Sequence, residues 1–251
     1  MNQKIIEIIG PPGVGKSTVY KSLCKTWTPS ANWVYQDTLL LPEKPNIQDF
    51  RRWFEYYAKK LLGKKITRSI KAEYGLRFVS NNPNLAHFYW DQLSDTRIFK
   101  DEEINKRFRS AYFLFCDFCR YQAILEKESS KLCIVNEGLL QKSFFVHDNE
   151  EYLNVLLSTY LSLLPLPHAI IFINTPNKKV IFERLRGRKK IHASHVGKED
   201  AGLMEDIDRW QQTLNLIIEK AREANVKVLN VDGEKPIGDN VSYINSMLAK
   251  L

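Results

Sequence analysis

The chain has 251 residues and a formal net charge of +8, with 44% hydrophobic and 26% charged residues. That is ordinary for a soluble globular protein with one large core, or one core plus a subdomain. No apolar run approaches a membrane span, no basic-then-apolar leader opens the chain, and four cysteines at these spacings give no disulfide framework, so the reading is a cytoplasmic protein.

Lys4-Ile5-Ile6-Glu7-Ile8-Ile9 predicts a buried strand. Gly10-Pro11-Pro12-Gly13-Val14-Gly15-Lys16-Ser17-Thr18 follows it and fits G-x-x-x-x-G-K-[ST], the phosphate-binding P-loop. Ser17 to Trp27 lacks Gly and Pro and sets Val19, Tyr20 and Leu23 at helical spacing. Strand, glycine-rich turn and helix is the context this motif needs. Gly10, Gly13 and Gly15 let the backbone approach a ligand closely, and the N–H groups from Val14 onward converge on phosphate oxygens at a helix N-terminus. Lys16 can reach the β- and γ-phosphates, Ser17 can ligate Mg²⁺, and Thr18 supports the α-phosphate side.

Trp33-Val34-Tyr35 reads as a second strand ending at Gln36-Asp37. Asp37 is either a base for a substrate hydroxyl or the cap of the next turn. The stretch from Ile47 to Glu128 is helical in character and rich in aromatics, including Phe50, Trp53, Phe54, Tyr56, Tyr57, Phe88, Tyr89 and Trp90. It predicts a helical subdomain over the sheet, its aromatics chiefly core and otherwise a base-stacking pocket. Asn81-Asn82-Pro83-Asn84 reads as a turn within it. Arg107 to Lys127 reads as one long helix, with Phe108, Tyr112, Phe115, Cys119 and Ile124 near one face. Cys116 and Cys119 share a face there and are read as packing residues, not zinc ligands.

Leu132-Cys133-Ile134-Val135 is a third strand, followed by Asn136-Glu137-Gly138. Polar residues at the C-terminal end of a parallel strand face the ligand crevice. Glu137 is therefore the candidate for orienting Mg²⁺, and Gly138 is expected to keep space beside the phosphates; the alternative is a helix-capping turn. Ala169 to Ile173 and Val226 to Val231 are the fourth and fifth strands. Between them lies Arg184-Leu185-Arg186-Gly187-Arg188-Lys189-Lys190. Arg184 and Arg188 are candidates for neutralising a phosphoryl group in flight, on a basic lid over about 184–200, against solvated surface as the alternative. His192 and His195 are read as lid residues. Asp232-Gly233 opens a turn placed to hold an adenine base, or is an ordinary strand-to-helix turn.

Five β-rich segments among helices predict an α/β fold: one doubly wound domain over 1–251 with a five-stranded parallel sheet. The helical subdomain, about 47–128, falls between strands 2 and 3.

The order of these parts resembles the nucleoside and nucleotide kinase group of P-loop proteins, including thymidylate kinases and deoxynucleoside kinases. The likeness rests on Gly10–Thr18, on Thr175-Pro176 with Glu183-Arg184 before the basic cluster, and on Val231-Asp232-Gly233. It implies a five-stranded parallel sheet, ATP–Mg²⁺ as phosphoryl donor and a lid arginine at the transferred phosphate. Two elements depart from the group's pattern. Asn136-Glu137 has no Arg following, and Gln36-Asp37 stands where a Glu-Pro element is usual.

The leading functional expectation is a small-molecule kinase using ATP and Mg²⁺, with Lys16, Asp37, Glu137, Arg184 and Arg188 as its machinery. Its partners are a nucleotide donor and a small acceptor, with a homodimer left open. A polynucleotide kinase or other nucleic-acid-directed NTPase is less favoured, although the charge permits it. A non-catalytic, regulatory nucleotide-binding protein is the third reading.

Overall fold

The computed structural model describes residues 4–40, 46–62, 70–95, 104–142, 150–187 and 199–251. Its centre is one sheet of five parallel strands: β1 (Ile5–Ile9), β2 (Trp33–Tyr35), β3 (Leu132–Asn136), β4 (Ala169–Asn174) and β5 (Lys227–Asp232), in the order β2-β3-β1-β4-β5. The four inner pairings are parallel throughout. Runs such as Ile5-Ile6-Glu7-Ile8-Ile9 are buried at every position because helices cover both faces, which suits β-branched residues.

Alternate side chains divide between two cores. Ile6, Ile8, Ile134, Ile171 and Val231 pack with α1 (Lys16–Thr26) and α10 (Ile237–Leu248) through Val19, Leu23, Val241 and Ile244. Ile5, Ile9, Cys133, Val135 and Ile170 face the other way. They pack against α4 (Ala72–Asn81), α5 (Pro83–Ser94), α6 (Ile104–Leu125), α7 (Glu150–Leu163) and α9 (Asp200–Glu223). Between β2 and β3 also lie the short α2 (Gln36–Leu39) and α3 (Phe50–Leu61). Before α9 comes α8 (Lys178–Arg186), held to it by Ile181, Leu185, Leu203 and Ile207.

The expected turn at Asn81–Asn84 is the seam between α4 and α5, with Pro83 in the first turn of α5 where a missing N–H costs nothing. The long helix starts at Ile104, and the expected face is buried only along its later turns. Cys119 and Ile124 are buried and Phe115 packs on the core, joined there by Leu114, Phe118 and Tyr121, while Phe108 and Tyr112 are 71% and 57% exposed. α6 meets α4 through Phe115, Phe118, Cys119 and Tyr121, so closely that a Cβ on Gly75 would lie 2.6 Å from Cys119 Sγ. The aromatics of α3 also depart from a core role. Phe50 and Phe54 are exposed; Phe50 stacks on Trp53 and Phe54, and Trp53 packs at a tilt on Tyr57. Tyr89 of α5 is the fully buried one. Among the described residues, no helix is long and apolar enough to cross a membrane.

Candidate phosphate-binding site

β1 ends between β3 and β4, so the loop after it lies between the ends of both neighbours. The register Ile8↔Asn136 sets the start of the P-loop beside the turn leaving β3. Gly13 and Gly15 have φ of 88° and 109°, a left-handed backbone that side-chain-bearing residues adopt only with strain. Gly10 is needed for space: a Cβ there would stand 2.1 Å from the carbonyl oxygen of Ile173.

Lys16 opens α1, and its ammonium lies at the loop. Nζ donates to Gly10 O at 2.7 Å and Pro11 O at 3.1 Å, and lies 3.4 Å from Glu137 Oε1. The side chain is buried, whereas Ser17 and Thr18 are exposed on the first turn of the helix. Loop, cation and carboxylate therefore come together at the C-terminal ends of two adjacent strands.

Glu137 has φ 58°, one of two non-glycine residues with positive φ among those described. For a non-glycine residue this costs of the order of 1 kcal/mol and needs support from its surroundings. Glu137 N donates to Ile8 O at 3.2 Å, and Arg120 Nη2 donates to Glu137 O at 3.2 Å. Arg120 is itself paired to Asp117 at 2.5 Å, and Asp117 also faces Lys142 at 3.4 Å. Farther along the same turn, Gln141 Oε1 accepts from Gly10 N at 3.0 Å, a clasp between the turn and the P-loop.

Beneath the turn is Glu7, fully buried in the middle of β1. Its carboxylate accepts from Tyr121 Oη, from Leu139 N at 3.1 Å and from Leu140 N at 3.0 Å. Burial pushes the Glu7 pKa up to about 7, against the lowering effect of Tyr121, the two amides and Arg120. Gly138 was expected to leave room beside the phosphates. Its space is taken instead by Glu7, because a Cβ at 138 would lie 2.3 Å from Glu7 Cδ. Tyr160 Oη, which contacts Tyr89 Oη, donates to Leu139 O at 2.5 Å.

The other sequence candidates are placed less centrally. Asp37 is exposed in the first turn of α2, just past the end of β2. Arg184 Nη1 donates to Val14 O and Gly233 O, each at 2.9 Å. Its guanidinium thus ties the P-loop to the turn after β5. Gly233 packs closely on the loop, since a Cβ there would meet Val14 Cγ2 at 2.7 Å. Asp232 accepts from Glu234 N at 2.9 Å and is exposed. Arg188, His192 and His195 lie outside the described residues, as does most of the expected lid.

Glu7, Gln141, Arg120, Asp117 and Tyr121 were not singled out in the sequence. One signal was present: an acid alone among five isoleucine-flanked positions of a central strand must be neutralised or hydrogen-bonded.

No family model matches the chain, and no curated protein matches it. Among solved structures it is similar to deoxyadenosine kinase from M. mycoides with bound dATP, at 13% identity and a TM-score of 0.49, covering 98% of this chain and 100% of that one. It is also similar to shikimate kinase from Bacteroides thetaiotaomicron, at 16% identity and a TM-score of 0.38, covering 98% of both chains. A third likeness is to a gluconokinase from Sinorhizobium meliloti, at 16% identity and a TM-score of 0.33, covering 99% of this chain and 93% of that one.

Proposed function

We propose that the protein is an ATP- and Mg²⁺-dependent phosphotransferase acting on a small-molecule acceptor. The observation that carries this reading is the meeting of the glycine-rich loop, the Lys16 ammonium and the Glu137 carboxylate at the ends of β1 and β3. A lone P-loop binds phosphate. An acid beside it on the neighbouring strand adds what a metal-dependent transfer requires.

The residues fit the nucleotide and the metal. The loop amides and the N-terminus of α1 supply donors for phosphate oxygens. Lys16, whose ammonium now rests on two loop carbonyls, has the reach to turn toward a β,γ-phosphate. Exposed Ser17 and the 41%-exposed Glu137 carboxylate would be the oxygen ligands for Mg²⁺. Bound Mg²⁺ would neutralise charge on the phosphates. Asp232 and Gly233 stand where the loop's far side could receive the base. Asp37 is the candidate to take the acceptor's proton, with Glu137 as the alternative. Arg184 and Arg188 are the candidate cations for the transferred group. The acceptor belongs with the helical segment between β2 and β3. Catalysis of this kind is positioning plus electrostatics.

One observation favours a second reading, nucleotide binding without transfer. Arg184 is engaged by two backbone carbonyls, an arrangement suited to linking loop position to nucleotide occupancy.

The test is ATP consumption with Mg²⁺ across nucleosides, nucleoside monophosphates, sugars and short oligonucleotides, with Lys16→Ala as control. Phosphorylation of one class, lost in the variant, is the expected outcome. Tight ATP binding without acceptor-stimulated turnover would move the assignment to the second reading. Stimulation by oligonucleotides that falls steeply with salt would move it to a nucleic-acid-directed NTPase.

A further inference from the structure

The middle of β1 holds the least expected side chain of the sheet. Ile5, Glu7 and Ile9 point to the same face, and the two isoleucines join the core formed with α4 to α7 and α9. A residue whose only role was to fill that space would be apolar. Glu7 is instead a carboxylate with no exposure to solvent, and burying it is costly unless donors converge on it.

The donors come from two places. Tyr121 reaches down from α6 to Oε1. The other two are the backbone amides of Leu139 and Leu140, one on each carboxylate oxygen. Both amides belong to the turn that starts at Glu137. Gly138 lies between, flush against the carboxylate, where no side chain fits. The same turn presents Glu137 to Lys16 at one end and Gln141 to Gly10 N at the other.

We propose that Glu7 is a positioning residue: anchored by Tyr121, its carboxylate fixes the turn from Glu137 to Gln141 so that the Glu137 carboxylate and the Gln141 clasp are held at the phosphate site. The proposal rests on reading that site as one of metal-assisted phosphoryl transfer. Glu7 itself touches no substrate. Its action passes through two amides to the left-handed Glu137, whose carbonyl Arg120 secures from the side.

The charged and titratable groups facing Glu7 are Tyr121 and Arg120 of α6, Tyr89 of α5 and Tyr160 of α7. Burial raises the three tyrosines, so all remain protonated donors near neutrality, and Arg120 is the one cation among them. The carboxylate form alone accepts from both amides and the phenol together. Glutamine has the same shape but sets an NH₂ group against one of the two amides.

The experiment compares wild type, Glu7→Gln, Tyr121→Phe, the double variant and Lys16→Ala. Each is checked by far-UV circular dichroism and thermal melting, by binding of a fluorescent ADP analogue without metal, and by steady-state MgATP turnover. The expected result is folded Glu7→Gln and Tyr121→Phe that bind the ADP analogue within about threefold of wild type, because the P-loop amides are intact. Their kcat falls about tenfold or more while KM for MgATP moves little, because Glu137 is displaced. The double variant is no worse than Glu7→Gln, since both act through one carboxylate. Wild-type kcat in folded Glu7→Gln overturns the proposal. If Glu7→Gln does not fold, Tyr121→Phe decides in the same way. If wild type neither binds the analogue nor exceeds Lys16→Ala in turnover, the phosphotransfer reading fails and this proposal with it. Turnover abolished by Lys16→Ala but untouched by Glu7→Gln overturns the positioning role alone.

Discussion

Two turns leave adjacent strands at the site and are built by opposite means. The turn after β1 is made of backbone: three glycines, with left-handed angles at Gly13 and Gly15. The turn after β3 is made of buried side chains: Glu7 beneath it, Arg120 beside it, and Gln141 reaching to Gly10. In the proposed transfer the first moulds itself to a ligand, so it is built from backbone and small side chains. The second holds the Glu137 carboxylate near Lys16 with polar groups already engaged by protein. The proposed transfer would draw on both, a compliant cradle and a rigid partner.

The sharpest way to break this contrast is at the one side chain that joins the two turns. Lys16→Ala removes the ammonium that meets Gly10 O, Pro11 O and Glu137. Nucleotide-dependent turnover is expected to fall by two to three orders of magnitude, of the order lost when one preorganised electrostatic group is removed. A coupled ADP-release assay measures it. Retention of turnover within a few fold would mean that the cradle works without its cation.

The rigid turn is broken by a single methyl group. In Gly138→Ala the new Cβ would lie 2.3 Å from Glu7 Cδ, with backbone on one side and a buried, triply bonded carboxylate on the other. Neither can give way cheaply. A loss of about 3 kcal/mol is expected in urea unfolding, the upper part of the range for overpacking. The paired change Gly138→Ala with Glu7→Ala should recover part of that loss, because it clears the space.

The two turns were not equally legible. The glycine loop announces itself because backbone conformation and close approach restrict the residue types, and Gly10, Gly13, Gly15 and Lys16 appear as a pattern. The five strands were also readable, since parallel strands buried on both faces favour apolar, β-branched runs, whereas their order in the sheet, β2-β3-β1-β4-β5, was not. Glu137 could be picked out as an acid at a strand end. What holds it could not. Glu7, Tyr121, Arg120 and Gln141 are separated by up to 134 positions in sequence and meet only through tertiary packing. The roles of Phe108 and Tyr112 in α6 were misjudged for a related reason. Helical spacing shows which residues share a face, but not how far along the helix a partner extends.

Acidity gives a gentler handle on the same turn. Burial holds the Glu7 proton until about pH 7, while a solvent-exposed glutamate releases it at 4.5. Between those values unfolding releases a proton, so rising pH favours the unfolded chain. Relative to Glu7→Gln, which does not titrate there, wild type should therefore lose up to about 3 kcal/mol of stability between pH 4.5 and pH 8, with most of the change complete by pH 7. Urea melts of both proteins at pH 5, 6, 7 and 8 measure the difference. A constant difference would show that the donors around Glu7 offset its burial and that the turn is insensitive to acid.

The smallest expected effect is at the back of the compliant turn. Arg184 donates to Val14 O and Gly233 O, one carbonyl on each loop. The side chain is largely at the surface, so Arg184→Ala should cost no more than about 1 kcal/mol of stability, as for a typical exposed hydrogen-bonding group. Its consequence for binding depends on which loop it restrains. If the guanidinium only steadies the turn after β5, affinity for a metal-free ADP analogue stays within twofold of wild type. If it sets the P-loop through Val14, affinity weakens several-fold and Arg184→Lys fails to restore it, because one ammonium does not reproduce a planar fork spanning two carbonyls. The second outcome would mean that even the glycine-built cradle borrows some of its shape from a side chain, and the contrast between the two turns would become one of degree.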